Sequence, residues 1–231
     1  MPLSALRHRR GSIIGAAGNM TSGKTSWLVG TACKPSKQRA GVAFIQPTNA
    51  CRTKPDLVQS RTFATFTGAV GARRPKDFLR LVGRAEFVFL EEIEFYEEKS
   101  AMAAEFEAVI EHLVLSGRTI YWSGLPVDFR GDPFMVVARM MALSERLVLL
   151  EAECAKCAHE PAHFAQRLIF GHPAPRNHPR FVPDTPAYRR QGITYEPRCV
   201  DCYEPPGEPN EHLRAIWSLT KRRSTRTRPR R

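Results

Sequence analysis

The sequence contains no run of about 18 apolar residues, the length that a membrane-spanning helix requires. The first ten residues, MPLSALRHRR, also lack the long apolar stretch that follows the basic residues of a secretory signal peptide. No internal repeat is present apart from a pair of Cys-x-x-Cys motifs. We therefore expect a cytoplasmic protein that has no membrane partner.

Acidic residues are absent from the last eleven positions, residues 221–231, where seven residues are lysine or arginine. This segment carries more than half of the formal net charge of +12 of the 231-residue chain. A tail of this composition cannot bury enough apolar surface to offset its ordering entropy, so we expect it to be disordered. Its charge predicts at most a weak, salt-dependent contact with nucleic acid.

Short apolar runs alternate with segments of helical periodicity through the first 150 residues. The runs predicted to be buried strands are residues 12–17, 41–45, 86–90, 118–123 and 146–150. The predicted crossover helices begin at residue 24 and cover residues 75–82, 99–115 and 134–143. This alternation predicts an α/β fold, in which helices cover both faces of a parallel sheet.

The composition changes after residue 151, where two Cys-x-x-Cys motifs flank a loop-rich stretch with five prolines at residues 171–192. We expect four parts. They are an N-terminal extension at residues 1–11, an α/β domain at 12–151, a small cysteine-containing subdomain at 152–203, and a final segment at 204–231. The last part combines a linker, a short helix at residues 211–219 and the basic tail.

Residues 18–25, GNMTSGKT, match the phosphate-binding pattern GxxxxGK[ST] without a mismatch. The match follows an apolar strand and opens a helix, as the pattern requires. Backbone N–H groups of such a loop surround phosphate oxygens, while Lys24 reaches the β- and γ-phosphates and Thr25 holds Mg²⁺. The sequence thus predicts an ATP site made by Gly18, Asn19, Met20, Thr21, Ser22, Gly23, Lys24 and Thr25.

Two adjacent acids, Glu91 and Glu92, follow the apolar run FVFL. The carboxyl ends of parallel strands meet at one edge of a sheet, so we expect these acids beside the phosphate loop. Glu91 is the predicted magnesium ligand together with Thr25. A solvated acidic turn is the alternative, because three more glutamates follow within six residues.

With these motifs in order, the sequence resembles the zinc-containing thymidine kinases from residue 12 to about residue 203. Residues 18–25 meet the form GxMxSGK[ST], and residues 91–95, EEIEF, loosely match Asp-Glu-Ala-Gln-Phe. The most specific match is GLPVDFRGDPF at residues 124–134, against GLDxDFRGEPF. The resemblance implies a P-loop NTPase-type fold and transfer of the ATP γ-phosphate to the 5′-hydroxyl of thymidine, or a related pyrimidine deoxynucleoside, in nucleotide salvage. It also implies a homotetramer.

The resemblance assigns roles to individual residues. Glu92 becomes the general base, and Arg52 becomes a catalytic residue beside Lys24, while Glu94 falls at the nucleotide site. Arg130 is a further candidate for the phosphate region, with a structural ion pair as its alternative. The wall around the nucleobase is implied to consist of Met20, Phe95, Leu125, Phe129, Phe134 and Tyr195. Core packing is the alternative for each of these aromatic residues taken singly.

Two cysteine pairs, Cys154 with Cys157 and Cys199 with Cys202, have the local spacing of a zinc ribbon. The segment between the pairs is longer than the roughly 15–20 residues of a simple ribbon. The resemblance implies that this segment forms a lasso over the nucleoside and that a structural Zn²⁺ holds its base.

Several positions depart from the family pattern. Glu91 and Glu94 replace an aspartate and a glutamine, and Gln46 and Ala50 replace the lysine and aspartate of the KPAxDxR segment. In the lasso, Ala165 replaces a threonine, which leaves the identity of the base open. Two other functions therefore remain as alternatives. One is a P-loop ATPase that binds nucleic acid through the zinc ribbon and tail, and the other is a nucleotide-binding relative without catalysis.

Overall fold

The computed structural model describes residues 10–50, 56–158 and 161–207. Arg52, the predicted helix at residues 211–219 and the basic tail lie outside these ranges. In chain order the elements are β1 (Ile13–Gly18), α1 (Lys24–Ala32), α2 (Pro35–Ala40), β2 (Val42–Pro47), β3 (Leu57–Gln59), β4 (Thr65–Thr67), β5 (Val70–Ala72), α3 (Asp77–Val82), β6 (Phe87–Leu90), a 3₁₀ helix (Ile93–Glu97), α4 (Ser100–Leu115), β7 (Thr119–Gly124), α5 (Met135–Leu143), β8 (Arg146–Leu150), β9 (Phe164–Ile169), β10 (His172–Pro173), α6 (Pro186–Arg190) and β11 (Ile193–Arg198).

The main sheet has six parallel strands in the order β5-β2-β6-β7-β1-β8. The five strands and four helices predicted from the apolar runs are all present, with bounds that differ by at most two residues. The predicted α/β fold is therefore confirmed. The sixth strand, β5, was not predicted, because it has only three residues.

Side chains that alternate along the central strands pack on opposite faces of the sheet. In β7, Trp122 packs with Phe106 and Ile110 of α4, whereas its neighbour Tyr121 packs on the other face with Leu28 of α1. Helices thus cover both faces, which explains why the strands are continuous apolar runs rather than alternating ones.

The strand order determines what lies at the carboxyl edge of the sheet. β6, β7 and β1 are neighbours, so the loops that follow them lie side by side. These loops carry the phosphate-binding pattern, the Glu91–Glu92 pair and the motif of residues 124–134. Ligands of open α/β sheets bind in the crevice at this edge.

Two smaller sheets flank the main one. An antiparallel sheet of order β10-β9-β11 forms the base of the lasso, and β3 pairs with β4 in a hairpin. The lasso also contains α6, which the sequence did not indicate. Among the helices described here, none has both the length and the apolar character needed to cross a membrane.

Candidate active site

The phosphate-binding loop connects β1 to α1 with two residues in the left-handed region. Gly23 has a φ of 91°, and Thr21 has a φ of 64°. Lys24 Nζ donates to the carbonyl oxygen of Asn19 at 2.7 Å, across the loop. Ser22 Oγ is buried and has no hydrogen-bond partner among the residues described, so a phosphate oxygen would supply the partner it lacks.

The side-chain amide of Asn19 contacts both the phosphate loop and the start of the lasso. Its Nδ2 donates to the carbonyl oxygens of Ala162 at 2.9 Å and Phe164 at 2.6 Å, where the lasso begins. Its Oδ1 accepts from the N–H of Met20 at 2.7 Å. Asn19 stays a predicted ATP-site residue as part of the loop backbone, and its amide also joins the phosphate loop to the base of the lasso.

Glu91 lies buried at the end of β6 and contacts the phosphate loop. The hydroxyl of Thr25 donates to its Oε1, and Ser123 of β7 donates to its Oε2 at 2.9 Å. The two residues predicted to hold Mg²⁺ are thus in direct contact. Both offer oxygen atoms, the ligands that this cation prefers, so the pair fits the ion.

Glu92 has a backbone conformation that is uncommon for a residue with a side chain. Its φ of 47° and ψ of 52° lie in the left-handed region, which costs about 1–2 kcal/mol. The turn places the side chain in the same cleft as Lys24 and Thr25, half-buried at its edge. Strain of this kind concentrates at functional sites.

Glu94 lies in the same cleft but is almost completely buried. Its Oε2 accepts from the N–H of Leu125 at 3.2 Å. Burial, together with the neighbouring charge of Glu92, raises the pKa of Glu94 from 4.5 to about 8. The carboxyl group is therefore largely neutral at pH 7 and resembles the amide of the glutamine that it replaces.

A single open cleft of about 960 Å³ runs from the phosphate loop to the lasso. All six residues predicted to surround the nucleobase line this cleft, namely Met20, Phe95, Leu125, Phe129, Phe134 and Tyr195. Lys24, Thr25 and Glu92 line the same cleft. A flat base with an attached sugar matches this combination of apolar and charged side chains.

The lasso contributes cleft residues that the sequence did not indicate. Phe181 lies with its ring centroid 5.7 Å from that of Phe134 and 6.3 Å from that of Phe95. Asp184 pairs with Arg61 at the tip of the β3–β4 hairpin. These residues match no motif, and their partners lie far away in the sequence, so no local signal identified them.

Tyr195, in β11, contacts the backbone of the lasso at Val182. Its hydroxyl donates to the carbonyl oxygen of Val182, and burial raises its pKa to about 12, so the group stays neutral. Arg167, directly opposite Tyr195 in the β9–β11 pairing, is buried with its guanidinium 3.8 Å from the centre of the Phe129 ring. Arg167 of β9 therefore contacts Phe129, one of the residues predicted to surround the nucleobase.

Arg130, a predicted candidate for the phosphate region, contacts the lasso. Arg130 Nη2 donates to the carbonyl oxygen of His178 at 2.8 Å, so it contacts the lasso rather than the phosphate loop. Arg52 lies outside the described residues. Gln46 and Ala50 line a small cavity of about 290 Å³ beside Thr25, Glu91 and Glu92.

The four sulfur atoms of the two cysteine pairs lie within 4.8 Å of one another. Two of them, in Cys157 and Cys199, are 3.6 Å apart, close to the roughly 3.8 Å between thiolates around tetrahedral zinc. Although burial opposes ionisation of Cys154, backbone N–H groups lower its pKa to about 6. Hydrogen bonding with Cys157 and burial raise the pKa of Cys202 to about 12. The structure thus brings together the four cysteines that the sequence predicted as zinc ligands, and their sulfur atoms could hold such an ion.

Comparison with known proteins shows which family the chain belongs to. The family model described as thymidine kinase matches residues 11–203. The chain belongs to the thymidine kinase family. A thymidine kinase from Coprothermobacter proteolyticus is 33% identical over 193 residues, which cover 83% of this chain and 89% of that relative. Membership in the thymidine kinase family makes the chain a nucleotide-binding kinase and implies ATP as the phosphate donor.

Proposed function

We propose that this chain transfers the γ-phosphate of ATP to the 5′-hydroxyl of thymidine, or of a related pyrimidine deoxynucleoside, in nucleotide salvage. One observation carries the proposal. Glu92 lies in the same cleft as both the phosphate loop and the aromatic wall. A hydroxyl attached to a base held by that wall would lie between the carboxylate and the bound phosphate.

In the proposed reaction, the carboxylate of Glu92 accepts the proton of the 5′-hydroxyl. The deprotonated oxygen forms a bond to the γ-phosphorus, and the bond from that phosphorus to the bridging oxygen of ADP breaks. Lys24 and the N–H groups of the loop stabilise the charge that develops on the phosphate oxygens. Arg52 is proposed as a further cation at this site.

Thr25 and Glu91 would hold Mg²⁺, which neutralises charge on the β- and γ-phosphates when it is bound. Ser123 fixes the carboxylate of Glu91 by its hydrogen bond at 2.9 Å. The four cysteines would hold one Zn²⁺, whose role is structural because no coordination position stays open.

The neutral form of Glu94 bears on the alternative of lost catalysis. A second carboxylate charge beside Glu92 and the phosphates would oppose binding of a polyanion. Burial keeps the proton on Glu94 near neutral pH, which removes that repulsion. The departure from the family's glutamine is therefore compatible with an active kinase.

The finer organisation is also part of the proposal. We assign the kinase domain to residues 12–151 and the zinc-binding lasso subdomain to residues 152–203. A homotetramer in the cytoplasm is proposed, with weak contact to nucleic acid through residues 221–231. Light scattering at micromolar concentration tests the tetramer, and retention on a DNA column before and after deletion of residues 221–231 tests the contact.

ATP consumption with a panel of nucleosides, and separately with single-stranded DNA, tests the proposed function. We expect consumption that depends on thymidine or deoxyuridine and yields one nucleoside monophosphate for each ADP. Consumption stimulated by DNA alone would support the nucleic-acid-dependent ATPase instead. Nucleotide binding without any consumption would support a relative that has lost catalysis.

A further inference from the structure

Residues 178–180 of the lasso accept hydrogen bonds from guanidinium groups of two other segments. Arg130 Nη2 donates to the carbonyl oxygen of His178 at 2.8 Å. Arg167 donates to the carbonyl oxygen of Pro179, and its Nη2 donates to that of Arg180 at 2.8 Å. Three successive carbonyl groups are thus fixed, so the backbone here has a defined position over the cleft.

The side chain of Arg180 links this segment to the kinase domain. Its Nε donates to Asp128 Oδ2 at 2.8 Å, and its Nη1 donates to Glu97 Oε1 at 2.8 Å. Both carboxylates are buried, with side chains only 1% and 9% exposed. Removal of the guanidinium would leave two buried negative charges without their cation, which is strongly unfavourable while the lasso stays closed.

The same guanidinium also packs against a residue of the predicted nucleobase wall. It lies 4.6 Å from the ring centre of Phe134. The next residue, Phe181, places its ring near Phe134 and Phe95, so the lasso adds a third ring to two that the kinase domain supplies. Arg180 of the lasso therefore contacts both Asp128 and Phe134 of the kinase domain.

We propose that Phe181 is a further residue that contacts the pyrimidine base and that Arg180 is the positioning residue that holds it there. This inference rests on the proposed function, since the ligand is the base of the nucleoside acceptor. Arg180 acts through Phe181 and the closed lasso, because its donors are all directed at protein groups. Loss of either residue should therefore weaken nucleoside binding and leave ATP binding unchanged.

The test measures four quantities for wild type, Arg180→Ala, Arg180→Lys and Phe181→Ala. They are the dissociation constants for thymidine and for ATP, by calorimetry, and KM and kcat. Arg176→Ala is the matched control, since Arg176 also pairs across the lasso, with Asp132 at 3.3 Å, but both side chains are 35% exposed. Arg180→Ala should raise the dissociation constant for thymidine by about 10- to 100-fold. Phe181→Ala, which keeps every ion pair, should raise it by about 5- to 10-fold.

Arg180→Lys should recover part of the lost affinity, because a lysine reaches one carboxylate but cannot span both. The dissociation constant for ATP and the zinc content of all variants should equal those of wild type. Unchanged thymidine affinity in both Arg180→Ala and Phe181→Ala would overturn the inference, as would an equal loss in Arg176→Ala. A separate outcome distinguishes this inference from the proposed reaction. If the wild type binds thymidine but forms no thymidine monophosphate, and Arg180→Ala weakens that binding, the proposed reaction is contradicted and this inference is supported.

Discussion

The hydroxyl of Thr25 donates to Oε1 of Glu91, although 66 positions separate the two residues in the sequence. The contact exists because β1 and β6 both neighbour β7, so the loops after them meet at one edge of the sheet. Ser123, at the end of β7, completes the arrangement by its bond to Oε2 of Glu91. The phosphate loop, an acid and the hydroxyl of Ser123 therefore lie together at this edge of the sheet.

Glu91→Gln should raise the magnesium concentration needed for half-maximal activity by about tenfold or more, because the substitution removes the charge of a hard oxygen ligand. Titration of magnesium at fixed ATP measures this requirement. Glu98→Gln is the control, since Glu98 is exposed and its Oε2 accepts only from Asn49 at 3.3 Å among the bonds described. An unchanged requirement in Glu91→Gln would remove Glu91 from the magnesium site.

The raised pKa of Glu94 makes stability depend on pH. Between 4.5 and about 8 the folded state keeps the proton that the unfolded state loses, so the free energy of unfolding falls as pH rises through this window. Glu94→Gln has no such proton and keeps an oxygen to accept from Leu125. Denaturant unfolding across the window should show the variant gaining stability relative to wild type as pH rises. A constant difference would mean that Glu94 is ionised throughout.

Asn19 should contribute to stability through the two carbonyl groups that it joins. Asn19→Ala leaves the carbonyl oxygens of the buried Ala162 and the partly buried Phe164 without this donor, which should lower the free energy of unfolding by about 1–3 kcal/mol. Asn49→Ala, at an exposed position, serves as the control and should change it by less than about 0.5 kcal/mol. Equal effects of the two substitutions would contradict the anchoring role of Asn19.

One zinc ion per chain is expected in protein purified without added metal. Replacement of Cys199 and Cys202 by serine should abolish the ion and raise the KM for the nucleoside more than that for ATP, because these residues lie at the base of the lasso. Cys33→Ser is the control, since Cys33 is exposed and far from the quartet in sequence. Full zinc occupancy in the double variant would refute the assignment.

The sequence predicted the parts of the site that local motifs encode. The phosphate loop, the acids after β6 and the motif of residues 124–134 each lie within one short segment, so their pattern can be read without tertiary contacts. The β3–β4 hairpin was missed because strands of three residues give almost no periodicity.

Other features depend on contacts between distant segments. Arg180 meets Asp128 across 52 positions, and nothing near Arg180 in the sequence marks this contact. The proton on Glu94 depends on burial, which a sequence pattern does not give. The motif placed Asn19 in the phosphate loop but gave no sign that its amide N–H group donates to carbonyl oxygens more than 140 positions away.

The central claim is that Glu92 is the base in phosphate transfer to a nucleoside 5′-hydroxyl. The most direct measurement follows formation of thymidine 5′-monophosphate from ATP and thymidine by wild type and Glu92→Gln, with ATP affinity measured in parallel. We predict product from wild type, a rate about 10²- to 10⁴-fold lower in the variant, and similar ATP affinity in both. Wild-type turnover by Glu92→Gln, or no thymidine 5′-monophosphate from the wild type, would contradict this claim.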